Sequence, residues 1–488
     1  MDRSSLSDAM REPGDRQCHG DEHHMNMKWP VPDAVEQELQ KPPSGWFYAG
    51  LYVLIELIAV ALTIWKWPKG QTTMSEKFLL DIVIAPALLT IALCCMLHSK
   101  FFEDLWRRSR WWNLLRTIHF ANWQHWARAH LVLIDSVVLT AEKDLAARML
   151  GLEPSPPINP KKALQIGGVD ASVGESRQEQ VMERLLTHLT DAIKKVTRNG
   201  KLEVLLHASD ESQKLLLERS WRKLDLPGQP EILWLPLGAD VPLLDAWFNE
   251  QVSDYQLVIA LQLHERDEAG TFSEAGVAVL ITTPKVFARA KDLKASACIL
   301  RAIYAEPETA GAALTTLLRA EQAPQKKIRH LWFSNLEKQM KNATAGAARD
   351  ADLSVQEQDL DRALGLPGPV TGWLIQALAA EMVKQSQGAQ LVVTPRRGGA
   401  ALNLVSVAPS PVKFPPEQHV PLLSVVWAIG MLSLSLFALC LHKIAPGVMN
   451  VDLTLWLCIA FMLLIPLQYG AASLDRERDT KSFRERFN

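Results

Sequence analysis

The chain of 488 residues carries 52 lysines and arginines against 54 aspartates and glutamates, and 48% of it is hydrophobic. That near-neutral balance argues against a dedicated nucleic-acid binder, which needs a strong positive excess over its footprint. The six cysteines, at 18, 94, 95, 298, 440 and 458, include four inside apolar stretches, so no disulfide framework is expected and a reducing compartment fits.

Residues 1–45 are polar and contain Pro30, Pro32, Pro42 and Pro43, which predicts a disordered cytoplasmic tail and no removable signal peptide. Cys18, His19, His23 and His24 are metal-ligand types within it, but they lack the second ligand pair of a structural zinc site, so no metal centre is expected. Four apolar runs follow in two pairs, 46–65 with 78–97 and 420–441 with 453–470. Each approaches the ~20 residues that a helix needs to cross ~30 Å of hydrocarbon, which predicts two transmembrane hairpins. Glu56 lies mid-span and Asp81 near the start of the second span. An ionised carboxyl in hydrocarbon is costly, so Glu56 is expected to act in assembly, hydrogen-bonded near Ser433 or Ser435 or to a partner, and Asp81 to reach interfacial water. Pro86 and Pro466 are expected to kink their helices.

Residues 98–130 interleave Trp106, Trp111 and Trp112 with Arg107, Arg108 and Arg110. This pattern predicts an interfacial helix lying on the inner membrane surface; the alternative is a juxtamembrane helix packing its indoles on the soluble domain. Basic flanks here and in the tail 471–488 place both termini and the central domain in the cytoplasm.

Between the hairpins, residues 131–412 alternate short strand-like and longer helical runs. Strands are predicted at 130–139, 202–207, 231–235, 257–263 and 277–282, with helices at 141–150, 180–197 and 209–224, which makes a layered α/β domain with a mixed sheet covered on both faces. The polar stretch 337–360 reads as an exposed loop or linker. A glycine-punctuated turn at 365–372 opens a helix at 373–385. A strand at 390–394, the turn Arg396-Arg397-Gly398-Gly399 and a strand at 401–407 follow. Amides near Gly368 and Gly372 at a helix start are of the type that holds an anion, but the spacing fits neither a P-loop nor a dinucleotide fingerprint, and a structural turn is favoured. His207 and His264 end apolar strands, with Asp210, Glu265 and Asp267 near in sequence, an arrangement open to ligand binding or acid-base work. Ser209 and Ser273 have no base beside them, and signatures of phosphoryl transfer are missing.

Three segments, 271–284 (TFSEAGVAVLITTP), 364–378 and 397–405 (RGGAALNLV), give residues 130–410 an order that resembles the thiolase and ketoacyl-synthase superfamily. The resemblance implies a thiolase-like layered fold. It also implies, for activity, a cysteine at a helix start deprotonated by paired histidines. Cys298 lies after the first segment instead of before it, and no histidine occurs between Gly368 and Gly372. Condensing chemistry is therefore expected to be absent, with Cys298 a small core residue. Thiolase-like proteins without the nucleophile are similar to accessory proteins of bacterial type VI secretion. The resemblance thus implies a non-catalytic inner-membrane adaptor, without cofactor or nucleic acid, that holds an effector or secretion component and is open to homodimerisation through the soluble domain. A membrane-associated acyl- or lipid-modifying enzyme using His207 or His264, and a sensor or transport component, are the alternatives.

Overall fold

The computed structural model describes residues 28–66, 76–154, 156–169, 175–237, 248, 253–264, 270–416, 420–445 and 449–487. Cys18, His19, His23, His24, Glu265 and Asp267 lie outside the described residues. The chain forms two compact units, one containing 32–121 and 413–488 and the other 28–31 and 122–412.

Among the described residues, four helical runs are long and apolar enough to cross a membrane. The first is Gly45–Lys66. The second starts at Glu76 and continues through Ala127, with π turns at Leu80–Ile84 and Ser99–Glu103. Pro86 follows the first π turn, where a widened turn accommodates a residue that lacks an N–H and crowds the preceding carbonyl. The third helix starts at Val425 and not at 420, because Ser424 caps it, its Oγ accepting from Trp427 N at 2.9 Å. The fourth runs from Val451 through Pro466 to Phe487.

Both even-numbered spans therefore extend well past their apolar parts, and the two extensions pair. Trp111 Nε1 donates to Thr480 Oγ1 at 3.1 Å, the Arg476 guanidinium stacks 3.7 Å from the Trp111 ring centre, and Arg108 bridges to Asp475 at 3.0 Å. Trp112 meets Phe483 edge-on at 5.0 Å, while Arg107 donates to Leu422 O at 2.9 Å. Arg110 stacks over Trp106 at 4.9 Å. The Trp/Arg segment is thus continuous with the apolar helix before it, and Trp111, Trp112 and Arg108 are matched to the tail helix.

The expected disorder of 1–45 is also corrected for 28–44. Asn113 exchanges two hydrogen bonds with the backbone of Gln37 (2.9 and 2.8 Å), Trp112 Nε1 donates to Val35 O at 3.0 Å, and Arg116 pairs with Glu36 at 2.9 Å. In the second unit, Trp29 Nε1 donates to Ala302 O at 2.8 Å and its ring meets Trp126 at 5.4 Å. Composition alone missed this, because an extended proline-rich segment is ordered by the side chains it lies against.

Among the described residues, the second unit is built on one mixed sheet of eleven strands: β1 His130–Thr140, β2 Leu202–Ala208, β3 Glu231–Pro236, β4 Tyr255–Gln262, β5 Ala275–Thr282, β6 Ala297–Leu300, β7 Ile303–Ala305, β8 Ile328–Phe333, β9 Gln356–Asp359, β10 Ala389–Arg396 and β11 Gly399–Ser406. Their order is β3-β2-β4-β5-β1-β6-β11-β10-β8-β9, with β7 alongside β11. The two halves of that order repeat each other. In the first, β3, β2 and β4 are parallel while β5 and β1 alternate direction; in the second, β9, β8 and β10 are parallel while β11 and β6 alternate. The domain is thus a duplicated five-strand module, joined where β1 runs antiparallel to β6.

Helix Arg177–Asn199 has an apolar stripe of Val181, Met182, Leu185, Leu189 and Ile193 that closes one face of the first half. Helix Thr371–Lys384 has almost no polar side and is buried all round, packed against strands of both halves. Its internal polar group, Gln376, exchanges two amide hydrogen bonds with Asn403 on β11, at 2.7 and 3.1 Å, so the buried amides remain satisfied. The stretch 337–360, expected as a loop, holds helix Lys338–Asp350 and β9. Its buried stripe is made of Met340 and the small residues Thr344, Ala345, Ala347 and Ala348, whose packing role is masked by polar neighbours.

Candidate functional site

The end of β4, the start of β5 and the turn before helix Thr371–Lys384 converge in the second unit. Gln262 ends β4, facing inward like Val258 and Ala260, since side chains two apart share a face. Its Nε2 donates to Ser273 O at 2.6 Å and its Oε1 accepts from Val370 N at 3.0 Å. A Cβ on Gly368 would collide with that carboxamide, so glycine there makes room for it. Gly368 N donates to Thr371 Oγ1 at 3.0 Å. The amides of Gly368 and Val370 are thereby consumed within the chain, and Gly372 has open space around it.

Beside it, Glu274 is completely buried. Its Oε2 accepts from Ile166 N and from Arg177 Nη2, both at 2.8 Å, and its Oε1 accepts from His264 N at 3.1 Å. Ser273 Oγ donates to Leu364 O at 2.7 Å and accepts from Leu164 N at 3.2 Å. Residues 162–166, 273–274 and 364–370 are laced further by Ser273 N to Leu366 O (2.8 Å), Leu366 N to Lys162 O (2.9 Å) and Glu274 N to Leu164 O (2.8 Å). This seam of chain-to-chain bonds sits where the strand ends would otherwise be open.

Strands β2 and β4 are adjacent and parallel, with His207 opposite Ala260. His207 and His264 nevertheless do not assemble. His207 is fully buried, and burial pushes its pKa below the ordinary histidine value against the opposing backbone of Leu237 and Pro236. His264 lies four residues past Ala260; its Nε2 donates to Phe272 O at 2.6 Å and its ring tilts against Phe272 at 4.8 Å. Among the described residues no group of three histidine, cysteine or carboxylate side chains has the placement of a metal site. Arg396 and Arg397 occupy the β10–β11 hairpin, where Tyr304 Oη donates to Arg397 O at 2.9 Å.

Cys298 stands on β6, opposite Val132 and Ser406 and four strands from β2. Ala297 and Ile299 face the central cluster, so Cys298 faces away from the side to which His207 points with Leu205. Its Sγ donates to Val407 O at 3.5 Å, and burial pushes the thiol pKa up to about 11. At pH 8 such a thiol is almost entirely protonated, so its alkylation by iodoacetamide in the folded chain is expected to run at least about 100-fold slower than in the unfolded chain. Peptide-resolved mass spectrometry of the Cys298 peptide checks this; labelling at the unfolded rate would contradict it.

In the first unit, Glu56 is not joined to Ser433 or Ser435: its Oε2 is buried without a hydrogen bond to a described residue, and Ser435 Oγ donates instead to Met431 O at 3.0 Å. Asp81 borders a cavity of about 520 Å³ lined also by Thr63, Pro86 and Phe437.

Sequence reasoning missed Gln262, Arg177 and the 162–166 segment. Glu274 alone left a signal, as the one acid inside the apolar run 271–284.

No family model matches the chain, and no curated protein matches it. Among solved structures it is similar to a ketosynthase complexed with its acyl-carrier protein from a type II polyketide synthase, at 11% identity and TM-score 0.43, over 58% of this chain and 99% of that one. An oxazolomycin ketosynthase domain of Streptomyces albus gives 12% identity and TM-score 0.40 over 60% and 99%, and human mitochondrial 3-ketoacyl-CoA thiolase 9% and 0.35 over 57% and 98%. The second unit is a mixed α/β domain whose solved neighbours are thiolase- and ketosynthase-fold proteins.

Proposed function

We propose that the chain is a non-catalytic membrane-anchored adaptor whose α/β unit grips a protein partner. The observation that carries this is the closed seam: Gln262, Ser273, Glu274 and Arg177 hydrogen-bond within the chain, and His264 is held there through its amide and Nε2. A catalytic centre needs such groups free to meet a substrate. The separation of Cys298 from His207 and His264 supports the same reading. The four apolar helices hold the unit at a membrane, which on the basic flanks is the bacterial inner membrane with the unit in the cytoplasm. The partner is an effector or component of type VI secretion.

Two measurements on the full chain test this. Purified protein offered acetyl and malonyl thioesters is expected to release no thiol above the uncatalysed rate; turnover lost in Cys298→Ala or His207→Ala would overturn the adaptor reading. Cross-linking in the native cell followed by mass spectrometry is expected to recover a secreted protein or secretion-machine component, and recovery of lipid-synthesis enzymes alone would count against it.

A further inference from the structure

A second place in the α/β unit has the opposite character to the closed seam. Where β8 and β9 begin, a cleft of about 770 Å³ opens, within the ~300–1,000 Å³ range of small-molecule sites. His330 lines it. The residue is only 6% exposed and its Nδ1 is buried without a hydrogen bond to any described residue, although it sits between Gln356 on β9 and Gln390 on β10. A buried polar nitrogen without a partner is costly, and water or a bound group in the cleft is what can supply one. Lys326 and Arg329 reach the same cleft, both exposed and neither in an ion pair with a described residue. Their two positive charges face one carboxylate, Asp352, so the cleft carries a positive excess. Ser354 and Gln356 add neutral hydrogen-bonding groups. Burial and the neighbouring Arg329 charge both push the His330 pKa below the ordinary value, which keeps the ring neutral, with one donor and one acceptor nitrogen.

We propose that this cleft binds a small organic anion, its oxyanion group seated on the Lys326 ammonium and the Arg329 guanidinium and its polar body hydrogen-bonded by His330, Ser354 and Gln356. Cation pairs of this kind select carboxylate or phosphate by charge-assisted hydrogen bonds, and the buried neutral ring favours a ligand with its own hydrogen-bonding atoms over a bare ion. The site is independent of the adaptor reading, since it shares no residue with the closed seam.

The test uses the full chain in detergent micelles at low salt, titrated separately with citrate, adenosine triphosphate and inorganic phosphate by calorimetry. The histidine ring resonances are followed by NMR and assigned with His330→Gln. At least one organic anion is expected to bind at one site per chain and to shift the His330 resonances. In Lys326→Met with Arg329→Met, which keeps the aliphatic stems, binding should weaken at least about tenfold with an unchanged melting temperature. Citrate and adenosine triphosphate separate a carboxylate from a phosphate preference. No binding of either organic anion up to about 10 mM, tightest binding by inorganic phosphate alone, or equal affinity in the double variant would overturn the proposal. Because both substituted side chains are exposed, a Lys326→Gln, Arg329→Gln pair serves as a second test if the methionine pair fails to fold.

Discussion

Replacement of Glu274 by alanine is expected to destabilise the α/β unit by about 3–5 kcal/mol, the cost of breaking one side of a buried ion pair. The carboxylate is completely buried and holds Arg177, the Ile166 amide and the His264 amide. Without it, a guanidinium whose side chain is 17% exposed loses its counter-charge, and two interior amides lose their acceptor. Glu274→Gln keeps the shape and one acceptor oxygen, so a loss of about half that size is expected. Glu231→Ala is the control. Its pair with Lys201 is exposed on both sides, and such pairs contribute about 0–1 kcal/mol. Urea unfolding of the full chain in micelles, followed by tryptophan fluorescence, measures all three, and a Glu274→Ala loss below about 1 kcal/mol would show that the seam is not held by this carboxylate.

A glycine pair on the same loop gives the second large effect, with opposite signs. Gly365 has φ +97° and ψ −140°, a region that residues with a Cβ avoid, and a Cβ there would overlap the Lys162 carbonyl oxygen and press on Ser273 Oγ at 2.8 Å. Gly365→Ala should therefore cost about 3 kcal/mol or more, because backbone strain and a clash with main chain add. Gly372 lies in the first turn of helix Thr371–Lys384, and a Cβ there meets nothing within 4 Å. Gly372→Ala should stabilise by about 0.5–1 kcal/mol, through helix propensity and a less disordered unfolded chain. Thermal melts of the two variants check the contrast. Equal melting temperatures would mean that the 365–372 loop is looser than its hydrogen bonds indicate.

Much of the secondary structure was legible because local pattern reports local burial. β2, β3 and β4 came from short apolar runs, and helix Arg177–Asn199 came from a stripe recurring with the helical period. The four apolar helices were legible for the same reason, since length without charge is a local property. Helix Lys338–Asp350 escaped because mostly alanine and threonine pack its buried face, small residues that give no apolar stripe beside its polar neighbours. The duplication of five strands escaped as well. Its two copies agree in strand order and direction, which are properties of pairing between distant segments and leave no fixed spacing of residue types.

By itself, then, the sequence determined where hydrocarbon-length helices lie, which stretches fold as strands and helices, and that Cys298 follows the 271–284 segment without a histidine between Gly368 and Gly372. Only the tertiary structure decided that the extended apolar helices pair through Trp111, Arg476 and Phe483, that Gln262 and Glu274 stitch strand ends to neighbouring segments, and that His330 Nδ1 is left without a partner beside an open cleft. The physical reason is that burial pattern is written residue by residue along the chain, whereas the satisfaction of a buried polar group depends on which remote backbone or side chain folding brings within about 3 Å.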